Sequence, residues 1–546
     1  MTSAVAYSLP ILATFLITSG VWVVVYFIAL NKGSTENNFY YGNNATAAPD
    51  PGWSSSSLIP QPTPSPGKCA RAGVYSGCTA DCRQAGVFQG ENDSMFQSTF
   101  EWNPYDHLHL NSCRFELCES IPVGLSFPPG SPFHQSTTQC WLKLIKKARR
   151  EIVIGSYYWT LLLKSTPDVT DDHNTSFDGQ LIFDSLAAAA RRGISIRIAM
   201  DGSGGVYDDN EPLALRSLVP DRIRYRKLNF PTWFNHGILH TKAWAVDGEH
   251  AYVGSANFDW RSLTQVKEIG LVLFDCPCAA EDVQRILDIY WMMGATDAKL
   301  PSSFPAELAT NANSLHPHVI PSLNSASPPQ SLYLSSSPPG LSACGREDDI
   351  ESMVRLIDAA QSYVYLAVMD YSPTTLYNDQ NTYYSRLDDA IRRAAFDRHV
   401  KVKFMASRWS STKQEMYAFM RSLADIHPHL PCVRNKNNKC IPNSWGELEV
   451  RMFEVPPLSY SIPFTRVQHT KYFVTEKAAY IGTSNWSADY WLYTGGIGSI
   501  LSAADSGSVQ ADLVKQLSAV FLRDWNSNYT TPISKFDENG KPIMVL

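Results

Sequence analysis

The sequence predicts an α/β protein in which one α/β sandwich occurs twice. Three observations carry that prediction. The stretch His240-Thr241-Lys242, trailed by Gly254-Ser255-Ala256-Asn257, has a second copy in His469-Thr470-Lys471, trailed by Gly482-Thr483-Ser484-Asn485. Helix-period and strand-period segments precede each copy in the same order. With 546 residues and 44% hydrophobic content, the chain is long enough for two domains or for one large duplicated core.

Residues 1–8 carry no Lys or Arg and read as a short tail. Residues 9–30 are an uncharged apolar run long enough to cross a bilayer, with Pro10 in the first turn, where proline is tolerated. A cleaved signal peptide is the competing reading, but the run is long for one and no small-x-small site follows. Residues 31–68 are rich in Asn, Ser and Pro and read as a stalk. The cysteine-rich stretch that follows, up to about residue 111, reads as a disulfide-tied cap on a first half covering 69–300.

Sequons at Asn44, Asn92, Asn174, Asn485 and Asn528 and 11 cysteines, some close together such as Cys276/Cys278 and Cys432/Cys440, point to an oxidising lumen. They orient the chain more firmly than Lys32, which lies just after the apolar run and does not favour a cytosolic tail. Asn485 doubles as a candidate site residue. Zinc ligation is the weaker reading of Cys78/Cys82 and Cys113/Cys118, whose spacing is not C-x2-C. An odd cysteine count leaves one thiol over within the chain, and spacing leaves the connectivity open.

In the first half the predicted order is strand 115–121, a turn at Pro122 and Gly124, helix 138–150, strand 151–159, helix 181–192 and strand 195–200. The helix sets Leu142, Leu144 and Ile145 against Lys143, Lys146, Lys147, Arg149 and Arg150, a solvated cationic face. The strand ends in Tyr157, Tyr158 and Trp159. A Pro/Ser-rich connection, 301–330, leads to a second half, 331–546, in which helix 349–360, strand 363–371, helix 387–395 and strand 400–405 repeat the order. Alternation of strands and helices argues for a sandwich in each half. Read as strands, 240–247 and 469–476 put each His and Lys on one face and Asp247 on the other.

These residues resemble the signature of the phospholipase D superfamily, HxKx4D followed by GS/GT-x-N. The second copy departs from it with Glu476 in place of Asp. That departure, with GSANFDWRSLTQVKE and YIGTSNWS after the two copies, is similar to one branch, the membrane-anchored endolysosomal 5′-exonucleases. The resemblance runs from about residue 113 to 525. It implies two pseudo-symmetric phospholipase D-like halves facing each other across one shared active site, behind an N-terminal membrane helix. It also implies that Glu268 hydrogen-bonds a site histidine; no acid stands at the matching place near 494–496, so support of the two histidines is asymmetric.

A phosphodiester needs a nucleophile, an acid for the leaving oxygen and positive charge on the free oxygens. His240, His469, Lys242 and Lys471 supply all of it without a metal or another cofactor. One histidine attacks as neutral imidazole and forms a phosphohistidine; the other protonates the leaving group and then activates water. The sequence does not assign which. Asn257 and Asn485 are expected on the phosphate oxygens. Asp247 and Glu476 complete the two motifs, and their strand face makes them structural partners. One charged and one neutral histidine favour mildly acidic pH.

A net charge of −6 and a pI near 6.1 exclude a protein that coats long nucleic acid by bulk charge. Tyr157, Tyr158, Trp159, Trp233, Phe234 and Tyr371 can stack bases, line a lipid groove or fill the core. Arg222, Arg224 and Arg226 on one strand face can track a backbone or stay solvated. The branch-level resemblance implies a type II membrane protein, passing through endoplasmic reticulum and Golgi to the endolysosome, that trims single-stranded DNA or RNA from the 5′ end. Phospholipid hydrolysis or transphosphatidylation is the alternative, a catalytically silent scaffold the third reading; a homodimer is a further expectation carried by no motif.

Overall fold

The computed structural model describes residues 113–543 apart from 167–168, 172, 204–208, 321–327, 379–380 and 505–510. The expected tail, membrane segment, stalk and cap up to residue 111 lie outside the described residues. Among the described residues no helix is long and apolar enough to cross a membrane.

Two mixed sheets carry the chain. The first, of eight strands, runs Gln135–Ser136, Arg114–Ser120, Glu268–Phe274, His250–Gly254, Ala243–Val246, Glu151–Ser156, Ser195–Asp201, Ile223–Leu228. The path of the second runs His318–Ile320, Gln330–Ser337, Gly496–Ala503, Ala478–Gly482, Lys471–Thr475, Tyr363–Val368, Lys401–Ser407, Glu447–Phe453, Thr530–Pro532. From Arg114–Ser120 to Ile223–Leu228 and from Gln330–Ser337 to Glu447–Phe453, the order and the parallel or antiparallel sense of pairing are the same. The duplication read in the sequence is therefore a duplication of topology.

Local chemistry starts the elements where they start. Helix Thr137–Lys147 opens on a capping box, in which Ser136 Oγ accepts from the Gln139 amide at 3.1 Å and the Gln139 side chain accepts from the Ser136 amide at 3.2 Å. Lys146 and Lys147 sit at its C-terminal end, where the helix dipole favours cations. Its apolar face, with Trp141, Leu144 and Ile145, packs with Ile182 and Leu186 of helix Phe177–Arg191 on the outer face of the first sheet. Helices Asp349–Ala359 and Arg386–Asp397 cover the second sheet in the same way.

The inner faces do not form separate cores. One apolar cluster contains Val283, Ile286 and Leu287 of helix Pro277–Met293 and Leu517 and Phe521 of helix Asp512–Trp525. Leu271, Leu332, Leu334 and Val474 of the two sheets belong to it too. Each such side chain contributes about 1.5–3 kcal/mol when buried, so docking of the halves is part of folding. A buried charge cluster crosses the same junction. Lys267 lies 3.2 Å from Glu119 and 2.8 Å from Asp524, and Arg523 pairs with both acids.

The structure corrects several expected details. The expected strand 151–159 ends at Ser156, and Trp159–Thr160 pairs separately with Phe258–Asp259. The connection 301–330 carries an edge strand of the second sheet, His318–Ile320. Cysteines close in sequence are not always partners: Cys276 pairs with Cys113 and Cys118 with Cys140, while Cys432 does pair with Cys440. The sequon asparagine Asn485 is 1% exposed, which leaves no room for a glycan.

Candidate active site

The motif histidines are not on strands. The first strand begins at Ala243 and the second at Lys471, because the residues before them make backbone hydrogen bonds across the halves. The His240 amide donates to Gly495 O at 2.9 Å, and the Gly495 amide donates to Ile238 O at 2.9 Å. Reciprocally, the His469 amide donates to Lys267 O at 2.8 Å and Lys267 N to Val467 O at 2.9 Å. Gly237 permits the first crossing: its φ is +88°, and a side chain there would collide with the Tyr493 backbone. Each histidine is thus carried by one half and fixed by the other.

Both imidazoles are pinned through Nδ1. His240 Nδ1 lies 3.0 Å from Thr483 O, and a carbonyl only accepts, so Nδ1 carries the hydrogen. His469 Nδ1 lies 2.8 and 2.9 Å from the two oxygens of Glu268. The Ser255 backbone also hydrogen-bonds His469, as the Thr483 backbone does His240. Nε2 of each ring is left to meet a substrate. The second half has no acid to match Glu268: Gly496 begins the corresponding strand, and a Cβ there would stand 2.2 Å from Ser484 Oγ.

The two lysines curl in the same manner. Lys242 Nζ donates to His240 O at 2.6 Å and Lys471 Nζ to His469 O at 2.5 Å. Their remaining protons are free of these contacts. Burial, then mutual repulsion with Lys471, holds the Lys242 ammonium well below its usual range, against the pull of Glu268. Burial lowers Lys471 to about 7, with Glu268 and Asp370 opposing. Both histidines fall well below 6.5, first through burial and then through the two ammoniums. Burial pushes the Glu268 carboxyl up to about 7, and Lys471 and Lys242 hold it back. Two buried lysines that repel each other and lower both histidines make a site that a phosphodiester anion relaxes.

Asn257 and Asn485 are 6% and 1% exposed, and the side-chain oxygen of each is buried without a hydrogen-bond partner. Asn257 Nδ2 is 3.4 Å from the Tyr158 hydroxyl, which donates to Asp259 at 2.9 Å. Asn485 Nδ2 is 3.3 Å from both Asp370 Oδ2 and the Tyr490 hydroxyl.

Asp247 and Glu476 are elsewhere, at the far ends of the strands. Asp247 accepts from the amides of Arg149, Arg150 and Glu151 at 2.6, 2.8 and 2.8 Å. Glu476 accepts from those of Gln361, Ser362 and Tyr363 at 2.8, 3.1 and 3.3 Å. Each carboxylate clamps the start of the neighbouring strand, a task a Glu performs as well as an Asp.

Of the six aromatic residues read as candidates, Tyr157 alone has a ring packed on a site histidine, 5.2 Å from His240. Trp159 stacks on Phe258, Tyr371 donates to buried Asp388, and Trp233 and Phe234 pack on the shared core. Arg226 lies over Trp291, 4.4 Å from the ring centre. Sequence reasoning missed Tyr490, whose ring is 5.0 Å from His240, and Asp370. Tyr490 stands five residues after Asn485, at the place of Ser262 in the first copy, and Asp370 at the place of Tyr158. Aligning the two copies beyond the motifs would have exposed both. Among the described residues, no cluster of three or more His, Cys, Asp or Glu is arranged to hold a metal ion.

Residues 129–439 match the family model described as PLD3/4, PLD-like domain. The chain is 40% identical to the 5′-3′ exonuclease PLD3 of Xenopus tropicalis over 422 residues, 77% of this chain and 81% of that protein. It is 36% identical to the Homo sapiens PLD3 exonuclease over 453 residues, 80% of this chain and 86% of the other. Identity to the Mus musculus 5′-3′ exonuclease PLD4 is 35% over 432 residues, 78% and 80% of the two chains. With a duplicated fold, a paired HxK site and relatives aligned over most of both lengths, this chain belongs to the PLD3/4 family of phospholipase D-like proteins.

Proposed function

We propose that this chain is a phosphodiesterase that removes nucleotides from the 5′ end of single-stranded DNA or RNA through a phosphohistidine. The relatives' names carry the choice of exonuclease over phospholipase. The observation that carries the chemistry is the pair of Nδ1-pinned imidazoles set between two buried ammoniums.

The unequal backing of the rings supports a division of roles. A phosphoryl group on Nε2 leaves the imidazole cationic when Nδ1 keeps its hydrogen; that cation draws the Glu268 carboxyl, raised by burial, back to its charged form and is stabilised by it. His469 is therefore the nucleophile. His240, backed by a neutral carbonyl, is the stronger acid once protonated. His469 Nε2 attacks phosphorus, the bond to the leaving oxygen breaks, and that oxygen takes the proton from His240 Nε2. Neutral His240 then takes a proton from water, whose oxygen attacks phosphorus and breaks the N–P bond. Lys242, Lys471, Asn257 and Asn485 hold the non-bridging oxygens. Asp247 and Glu476 act only through the strand starts that they clamp.

The same reading gives residues 9–30 as a signal-anchor, 1–8 as cytosolic and the body as luminal, in an acidic endolysosomal compartment reached through the secretory route. The Cys113–Cys276, Cys118–Cys140 and Cys432–Cys440 disulfides support an oxidising lumen. The test is the full chain at pH ~5, below the ordinary histidine pKa, with a single-stranded oligonucleotide whose 5′ end is free or blocked. Stepwise loss from the free end alone, absent in His240→Ala, is expected. Cleavage of neither, by protein active on a chromogenic phosphodiester, would remove the nuclease reading in favour of phospholipid transfer.

A further inference from the structure

The two halves are mismatched at one point beside the phosphate donors. Where Asn257 meets a tyrosine hydroxyl, Asn485 meets the carboxyl of Asp370. Asp370 is 5% exposed and follows strand Tyr363–Val368, its backbone carbonyl accepting from the Trp486 amide at 3.0 Å. Oδ2 accepts from Asn485, whereas Oδ1 is buried with no hydrogen-bond donor. Asn485 also ties Asp370 to Tyr490, whose ring stands edge-on to His240 at 5.0 Å. Tyr377 packs on Tyr490 at 6.1 Å, is 52% exposed and has Lys413 Nζ 5.5 Å from its ring centre. A line of aromatic rings thus runs from solvent to His240. Among the described residues no ring is packed in this way on His469.

A buried carboxyl oxygen without a donor is a place for a donor that arrives with the substrate. A sugar hydroxyl brings one hydrogen to give. A terminal phosphate brings one negative charge below its second ionisation at about pH 6 and nearly two above it, and in a buried pocket like charges repel strongly. Resting on the exonuclease reading, we infer that Asp370 is a specificity-determining residue, accepting a hydrogen bond from the free 5′-hydroxyl of the strand and excluding a 5′-phosphate, while Tyr490 and Tyr377 carry the terminal base.

The charged and titratable groups facing Asp370 are Lys471, Lys413, Tyr377 and Tyr490. Burial pushes the carboxyl up to about 6, and the two lysines hold it back. Its charge therefore appears as pH rises through that value, and exclusion of phosphate strengthens in the same direction.

The experiment measures kcat/KM of the full chain for one single-stranded oligonucleotide bearing a 5′-hydroxyl or a 5′-phosphate, at pH 5 and pH 7. At pH 7 the wild-type chain is expected to favour the hydroxyl by about tenfold or more, with a smaller ratio at pH 5, where the Asp370 carboxyl is mostly uncharged. Asp370→Asn should lower the ratio at least about threefold and leave only the pH dependence of the phosphate's own second ionisation. Asp370→Ser serves if Asp370→Asn fails to fold, with the same expectation. An unchanged ratio in the variant, or no preference in the wild type, overturns the inference. A wild type that cleaves neither oligonucleotide overturns the exonuclease reading and this inference with it.

Discussion

His240 and His469 occupy equivalent places in equivalent halves, yet one ring leans on a carbonyl and the other on a carboxylate. The topology is symmetric to the level of strand order, and around the histidines the asymmetry includes Glu268 against Gly496, Tyr158 against Asp370 and Ser262 against Tyr490. Duplication supplied two copies of a nucleophile, whereas the reaction requires one nucleophile and one acid. On the mechanism proposed, unlike neighbours turn two identical rings into two different reagents.

The most direct way to break this comparison is to remove each ring in turn, using a phosphodiester whose nitrophenolate leaving group needs no acid. His469→Ala should lose turnover by about 10³-fold or more. His240→Ala should still release nitrophenolate once and then stall, accumulating an acid-labile phosphoenzyme. Phosphoenzyme in His469→Ala instead would reverse the assignment.

The junction gives the next effect. Lys267→Met leaves Glu119 and Asp524 without one of their cations and should cost about 3–5 kcal/mol in denaturant unfolding. A loss under about 1 kcal/mol would show that Arg523 alone neutralises both acids. Glu268→Gln keeps the hydrogen bond to His469 but removes the charge. On the usual worth of charge-assisted hydrogen bonds, kcat should fall about ten- to a hundredfold. Little change would mean that the carbonyl-backed and carboxylate-backed rings are chemically equal after all.

The pH profile tests the comparison more gently. His240 is held below its ordinary value, so its proton is gained only as pH falls, and the alkaline side should lose activity further as Lys471 gives up charge near pH 7. Glu268 loses its charge as pH falls through about 7, which makes the rise shallower without reversing it. The kcat/KM profile on an oligonucleotide should therefore rise from pH 7.5 to 5.5; a profile flat over that range would contradict the roles assigned. Smallest is the difference between the clamps. Asp247→Ala, in the more buried clamp, should cost about 2 kcal/mol and Glu476→Ala about 1 kcal/mol. The pH profile should move in neither variant. A shifted profile would mean that these acids reach the site electrostatically.

Much of this was legible in the sequence because the chemistry is written in short motifs. Both His-Lys pairs, both asparagines and the repeated order of elements follow from residue spacing, and Glu268 followed from resemblance. What stayed hidden is what only tertiary packing creates. Residues 238–240 and 467–469 have apolar neighbours and read as strand starts, but their hydrogen bonds go to the opposite half, which no local period reports. Cys113 and Cys276 are brought together over a separation of 163 residues. Tyr490 reaches His240 because it rides on helix Ala488–Leu492, and its spacing from Asn485 carries no signature.

The reciprocal crossing at Gly495 and Lys267 makes catalysis a report on completed folding. A newly made first half has His240 but lacks the backbone that fixes it, and the second half has His469 with neither its Glu268 nor its Lys267 carbonyl. Neither half alone completes the pinning of its histidine, so the proposed chemistry requires both halves to be docked. Assembly of the two halves is thus built into the site itself, each half supplying backbone that the other's histidine needs.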